Sequence, residues 1–274
     1  MSDPVVSRPV VSRPVPEVVS RLGAVFRVFD QQDSGCVSYG VRGADGVGCF
    51  VKVARTATGA ESLRRAVQVH TAVRHPALVA PTQVLADSEG PVLVYPWVDG
   101  DVLYHATVGP DGVPTSQPRS DPGSPMARFR RLPLDAVRRA VDTVLDVHQV
   151  VDEAGLVAVD LYDGCFLYDW DAGALHVIDA DEYRPGPFVT HEQLPGSRRF
   201  FAPEELGTGQ VVDRRTTVYR LGRVARLLMD AGDTESAWRG TQAELGVIAR
   251  ATQPEPAARY QCVRDLVAAW RAAS

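Results

Sequence analysis

Lys52 is the only lysine among the 29 Lys and Arg residues, and the chain contains no asparagine. Isoleucine occurs only at Ile178 and Ile248. A GC-rich coding bias drains these three residue types together, and it sharpens the chemistry. Any step that needs a lysine amine rests on Lys52, and none can use an asparagine amide. Carboxylates are plentiful, with Asp160 and Asp163 in one short run and Asp179 and Asp181 in another. Other chemistries find little support. His70 and His75 have no carboxylate partner at metal-ligand spacing, and His148 lies on an apolar helical face. There is no G-x-S-x-G elbow and no Cys-His pair. Cys36, Cys49, Cys165 and Cys262 are scattered without a C-x-x-C unit, which argues against a zinc site or a disulfide framework.

The elements that must carry these residues follow from periodicity. Residues 1–19 hold two copies of V-V-S-R-P, and their prolines predict an extended, flexible tail. Three short β-rich runs, around Val25–Phe29, Cys36–Val41 and Cys49–Val53, separated by polar turns, predict an antiparallel meander. Leu63, Ala66, Val69, His70 and Val73 recur at helical spacing, and 79–84 and 91–98 read as two further strands. Residues 20–98 are therefore expected to form a β-rich lobe of five strands and one helix. A linker near 96–100 leads to a mainly helical lobe over 99–274. Within it, 103–131 is rich in Pro, Gly and Ser and reads as an insertion or mobile loop outside the core. Helices are expected at 134–151, 217–229, 236–251 and 262–272, with short strands at 165–168 and 175–178. The class is α+β and bilobal, and the cleft between the lobes is where a ligand is expected.

In that order the motifs resemble the protein-kinase-like fold, most closely the bacterial Ser/Thr protein kinases, over about residues 20–272. Val51-Lys52 resembles the V-A-I-K strand, whose lysine contacts the α- and β-phosphates of ATP. Gly35 and Val37 fall at the end of the Gly-rich loop motif. Leu93-Val94-Tyr95-Pro96-Trp97-Val98 is similar to the interlobe hinge, with Tyr95 at the gatekeeper place. Val157-Ala158-Val159-Asp160 sits where H-R-D belongs, and Ile178-Asp179-Ala180-Asp181 where D-F-G belongs. Gly196 to Glu204 resembles the stretch ending in A-P-E, and Arg259 stands where a late arginine pairs with its glutamate. The resemblance implies ATP and Mg²⁺ as cofactors. It implies Asp160 as base, with Ser197 orienting it, and Lys52 on the phosphates. Gly35, Val37, Val51, Tyr95, Pro96, Trp97 and Val98 would line the nucleotide, and Asp179 would hold metal.

The departures from the pattern are specific. Asp30 and Gln32 replace the first two loop glycines, and Ala66 stands where a helix glutamate should meet Lys52. Tyr162 replaces the catalytic-loop lysine, and Cys165 the metal-binding asparagine. A neutral thiol is a poor Mg²⁺ ligand, so Asp163 or Asp181 is expected to help Asp179. Three outcomes stay open: transfer to protein Ser/Thr hydroxyls, transfer to a small natural product or antibiotic, or a pseudokinase that binds nucleotide or a partner without transfer. A net charge of −5 gives no electrostatic reason to expect nucleic acid, and no apolar run is long enough to span a membrane. The N-terminus has no secretory pattern, so a cytoplasmic location is expected.

Overall fold

A computed structural model describes residues 14–32, 34–109 and 113–274. The protein is α+β, with a five-stranded antiparallel sheet and, among the described residues, seven α-helices. The sheet comprises β1 (Ala24–Phe29), β2 (Cys36–Arg42), β3 (Gly48–Ala54), β4 (Gln83–Asp87) and β5 (Gly90–Pro96), in the order β1-β2-β3-β5-β4. Helix α2 (Ala57–Ala72) follows β3, capped by Thr56, whose hydroxyl accepts from Gly59 N. Alternation of side chains across the pleat divides the sheet cleanly. Tyr39, Val41, Val51, Val53, Val92 and Val94 form one apolar face, and Cys36, Ala54, Leu93 and Tyr95 pack on the other against Leu63 and Ala66 of α2.

The larger core lies under the helices α4 (Leu134–Glu153), α5 (Arg214–Met229), α6 (Gln242–Ala251) and α7 (Val263–Ala273). Their apolar stripes converge on Val141, Val144, Leu221, Leu228, Ile248 and Trp270. Short strands β6 (Asp101–Val102), β7 (Leu156–Val157), β8 (Phe166–Asp169) and β9 (Ala174–Val177) frame the loops between them. β9 is stitched to the chain that follows α2 by Val79 N to Val177 O, 3.0 Å, and Val177 N to Ala77 O, 2.7 Å. The residues after β9 are thereby held beside the sheet. No described helix is long and apolar enough to cross a membrane.

Three expectations are corrected. The V-V-S-R-P copies fall mostly outside the described residues, but the end of the 1–19 tail is structured. Helix α1 (Glu17–Ser20) buries Val19 completely against the sheet. The stretch 103–131 is not outside the core: Leu103, Met126 and Phe129 are buried, the last two on α3 (Pro125–Arg130). Helix α6 starts at Gln242 rather than Ser236, because Asp230 draws the intervening residues into a loop by accepting from Gly232 N and Ala237 N.

Candidate functional site

Lys52 lies in the middle of β3, opposite Ser38 of β2 and Leu93 of β5. The pleat turns it away from the Val51/Val53 face and toward the residues that follow β9. There its ammonium donates to Asp179 Oδ1 at 2.7 Å and to Asp181 Oδ2. Burial alone would lower the Lys52 pKa, but Asp179 and Asp181 hold it well above the ordinary lysine value. Asp181 is itself buried, which raises its carboxyl to about 6 although Lys52 pulls the other way. Its second oxygen, Oδ1, is buried with no partner.

The absent helix glutamate is thus answered from the neighbouring segment. Ala66 is fully buried on α2 and reaches nothing charged, and Asp181 meets Lys52 instead. Helix α2 contributes by fixing that segment. Arg65 Nε donates to Asp181 O at 3.2 Å, and both Arg65 and Ser62 donate to Glu182.

Asp160 follows β7 and sits at φ 61°, as does Asp179. Left-handed backbone is costly for a residue other than glycine, although Asp tolerates it better than most. α5 holds the loop: Ala158 N donates to Thr217 Oγ1 at 3.0 Å, and Arg220 Nη1 donates to Leu161 O at 3.2 Å. Arg220 and Glu205 are both fully buried and form an ion pair at 2.6 Å. The Asp160 Oδ1 atom is buried without a partner. Burial first, and then the negative charge of Asp179, raise the Asp160 carboxyl to about 7. At neutral pH it is therefore poised to take up or release a proton.

The other expected residues divide. Gly196, not Ser197, touches Asp160: a Cβ on Gly196 would stand 2.7 Å from Asp160 Oδ1. Asp160 Oδ1 is buried without a partner, and among the described residues no hydrogen bond joins Ser197 to Asp160. Asp163 does not join Asp179 and Asp181. It is fully buried, and Arg119 donates to both its oxygens, at 2.5 and 2.7 Å. Val51 and Val37 pack on the sheet face opposite Lys52, so neither lines the Lys52 side. Gly35, at φ 71°, turns onto the cap of α2, where its carbonyl accepts from Arg55 N at 2.8 Å. Tyr95 does share the face of Lys52, edge-on to Phe50 and His70. Pro96 ends β5 exposed, Val98 is half-buried beyond it, and Trp97 folds back onto Phe26 at a ring distance of 4.8 Å. Gly40 and Gly48 leave the room that the Trp97 ring occupies.

The expected partner of Glu204 is in place. Arg259 donates to Glu204 Oε1 at 2.7 Å and to Oε2 at 2.9 Å, with both side chains buried. His148 is a packed residue, bonded to Val144 O and the Tyr183 hydroxyl. The four cysteines are free. Arg199 is half-buried and pairs with Asp233 at 2.9 Å and Glu235 at 3.1 Å.

Sequence reasoning missed Phe50 and Leu93 on the Lys52 side; a period of two from Lys52 points to Phe50, whereas Leu93 faces the same way only through the β3–β5 register. It also missed Arg119, Thr217 and Arg220, which act through contacts distant in sequence. Arg220 alone left a trace, a charge on an otherwise apolar stripe of α5. Among the described residues, no group of three or more His, Cys, Asp or Glu side chains is drawn together as a metal site. Surface cavities of about 250 and 220 Å³ are lined by other residues, and neither includes Lys52, Asp160, Asp179 or Asp181. Compared with protein-family models and with curated proteins, the chain finds no match.

Proposed function

We propose that the chain is an ATP- and Mg²⁺-dependent phosphotransferase of bilobal, protein-kinase-like fold that delivers the γ-phosphate to a hydroxyl. One observation carries the reading: the sole lysine crosses from the sheet to Asp179 and Asp181. The supporting facts are the order of the elements, the Asp160 carboxyl raised to about 7, and the Glu204–Arg259 pair. In this reading Lys52 exchanges part of its bond to Asp179 for the α- and β-phosphates. Asp160 accepts the proton of the acceptor hydroxyl, and Asp181 keeps the ammonium aimed into the cleft.

The residues present fit a hard divalent cation. Asp179 keeps a 39% exposed carboxylate, and the buried Oδ1 atoms of Asp160 and Asp181 have no protein partner. Oxygen donors of this kind are what Mg²⁺ prefers. Asp179 and Asp181 would hold it. Bound there, Mg²⁺ would neutralise charge on the phosphates, which is most of what phosphoryl transfer needs from its site.

Titration with a fluorescent ATP analogue tests the reading. Binding should require Mg²⁺, and Lys52→Ala and Asp179→Asn should each weaken it by about tenfold or more, roughly the worth of one charge-assisted contact. Equal affinity in the wild type and both variants would refute it. A second reading, nucleotide binding without transfer, is favoured by Cys165. Its buried thiol donates to Asp160 O at 3.2 Å, where the resemblance implies a metal-binding amide. Bound nucleotide that is never turned over, with Asp160→Ala unchanged, would select it.

A further inference from the structure

Two arginines follow Gly196 on one short turn, and their surroundings differ. Arg199 is held by Asp233 and Glu235. Arg198 is exposed, and among the described residues its guanidinium meets no carboxylate, carbonyl or ring. It lines instead a surface cavity of about 220 Å³. The Gln193 amide and the Thr208 hydroxyl line the same cavity, and neither has a hydrogen-bond partner among the described residues. The carboxylate in the lining, Glu205, is neutralised by Arg220 in a fully buried pair at 2.6 Å. The charge that the cavity presents is therefore the free guanidinium of Arg198.

The cavity adjoins the Asp160 loop. The Phe201 ring is one of its walls. A Cβ on Gly196 would stand 3.2 Å from Phe201 Cε1 and 2.7 Å from Asp160 Oδ1, so ring and carboxyl flank the same glycine. The Arg220 guanidinium lies over that ring at 4.9 Å, pairs with Glu205 and donates to the carbonyl of Leu161, the residue after Asp160. Arg198 is two residues from Gly196, which even extended chain spans in about 7 Å. The free cation and the Asp160 carboxyl are thus neighbours on the scale of a small molecule.

We infer that the acceptor carries an acidic group, a carboxylate or a phosphate, which Arg198 binds from this cavity with Gln193 and Thr208 as further donors. The inference rests on the phosphotransferase reading and names its substrate class. A guanidinium presents a planar fork of N–H donors that matches the edge of a carboxylate or phosphate. The amide and the hydroxyl add donors of their own without an opposing charge. A cavity of this size takes a compact group, not a large ligand. A neutral alcohol leaves the guanidinium unanswered.

Isothermal titration with Mg²⁺ and a non-hydrolysable ATP analogue present tests the inference with matched probes. Glycerol 3-phosphate is compared with glycerol, and a Ser peptide flanked by Asp with its Ala counterpart. The wild type should bind the acidic member of at least one pair about tenfold more tightly, roughly the worth of one charge-assisted contact. Tight binding of glycerol 3-phosphate assigns a small-molecule source, and tight binding of the Asp peptide alone a peptide source. Arg198→Ala should remove the preference, and Arg198→Lys should keep part of it. Arg264→Ala, the same loss of charge at an exposed site on α7, should leave it whole. No preference in the wild type, a preference that survives Arg198→Ala, or an equal loss in Arg264→Ala would each overturn the inference. The underlying reading fails separately, if the ATP analogue binds the wild type no better than Lys52→Ala.

Discussion

Burial of the Asp160 carboxyl costs stability, and the Asp160→Asn variant measures that cost. The carboxyl has a buried, unpartnered oxygen, and burial together with Asp179 raises it from 3.8 to about 7. A carboxyl raised on folding binds its proton more tightly in the folded state. Its cost is absent below about pH 4, grows between 4 and 7, and is complete above 7. At about 1.4 kcal/mol per unit the shift has a ceiling of about 4 kcal/mol. Because the Asp160 side chain is only partly buried, solvent screening reduces the expected effect to about 2 kcal/mol. Asparagine removes the charge, keeps the shape and tolerates the φ of 61° at this position. The variant should therefore be more stable than the wild type by about 2 kcal/mol at pH 8, or about 4–8 °C in Tm. At pH 5 the gain should fall to less than half of that. Urea and thermal unfolding at the two pH values give both numbers, and turnover measured alongside should be abolished. A gain that is equal at pH 5 and pH 8 would refute the buried-charge account, as would a loss of stability at pH 8.

Three further outcomes follow from the geometry. Asp181→Asn should weaken ATP-analogue binding by about tenfold, since it removes the charge that fixes Lys52, whereas Asp181→Glu should recover most of it; equal affinities for the two variants would contradict the positioning role. Arg220→Ala should cost about 3–5 kcal/mol in urea unfolding, because Glu205 is left charged and buried, and the Arg220→Met/Glu205→Leu double variant should cost much less. Phe129→Ala should cost about 3–5 kcal/mol, as expected for a core aromatic. A cost near zero for Phe129→Ala would return that end of the 103–131 stretch to a loosely attached loop.

The strands, α2 and the helices α4 to α7 were legible in the sequence because period and burial coincide there. The strand runs are short, apolar and bounded by turn residues, and each helix carries one apolar stripe. The Glu204–Arg259 pair was also legible, through motif order. The failures have a common physical cause. Arg119–Asp163, Arg220–Glu205 and Lys52–Asp181 join charges far apart in the chain, and a pairing of that kind leaves no periodic mark. Composition misled over 103–131, since Pro and Gly report local backbone preference and say nothing of the burial of Met126 and Phe129 in the same stretch. The errors at Val37 and Val51 are of another sort. A period of two already put Val51 on the face opposite Lys52, and the pairing of Ser38 with Lys52 puts Val37 there too.

That same period shows why the lysine's partner had to move. The residues that share its face are Cys36, Ala54, Leu93 and Tyr95, an apolar set against which α2 lies closely through Leu63 and the methyl of Ala66. A glutamate at position 66 would need room that this packing has filled. Helix α2 instead presents Ser62 and Arg65 at its margin, and both grip Glu182, the residue after Asp181. The helix still governs Lys52, but through the backbone of the 179–182 segment rather than by touching it. A shift of α2 would therefore reach the ammonium only by moving Asp179 and Asp181 with it, so the cation and its carboxylates should travel as one unit.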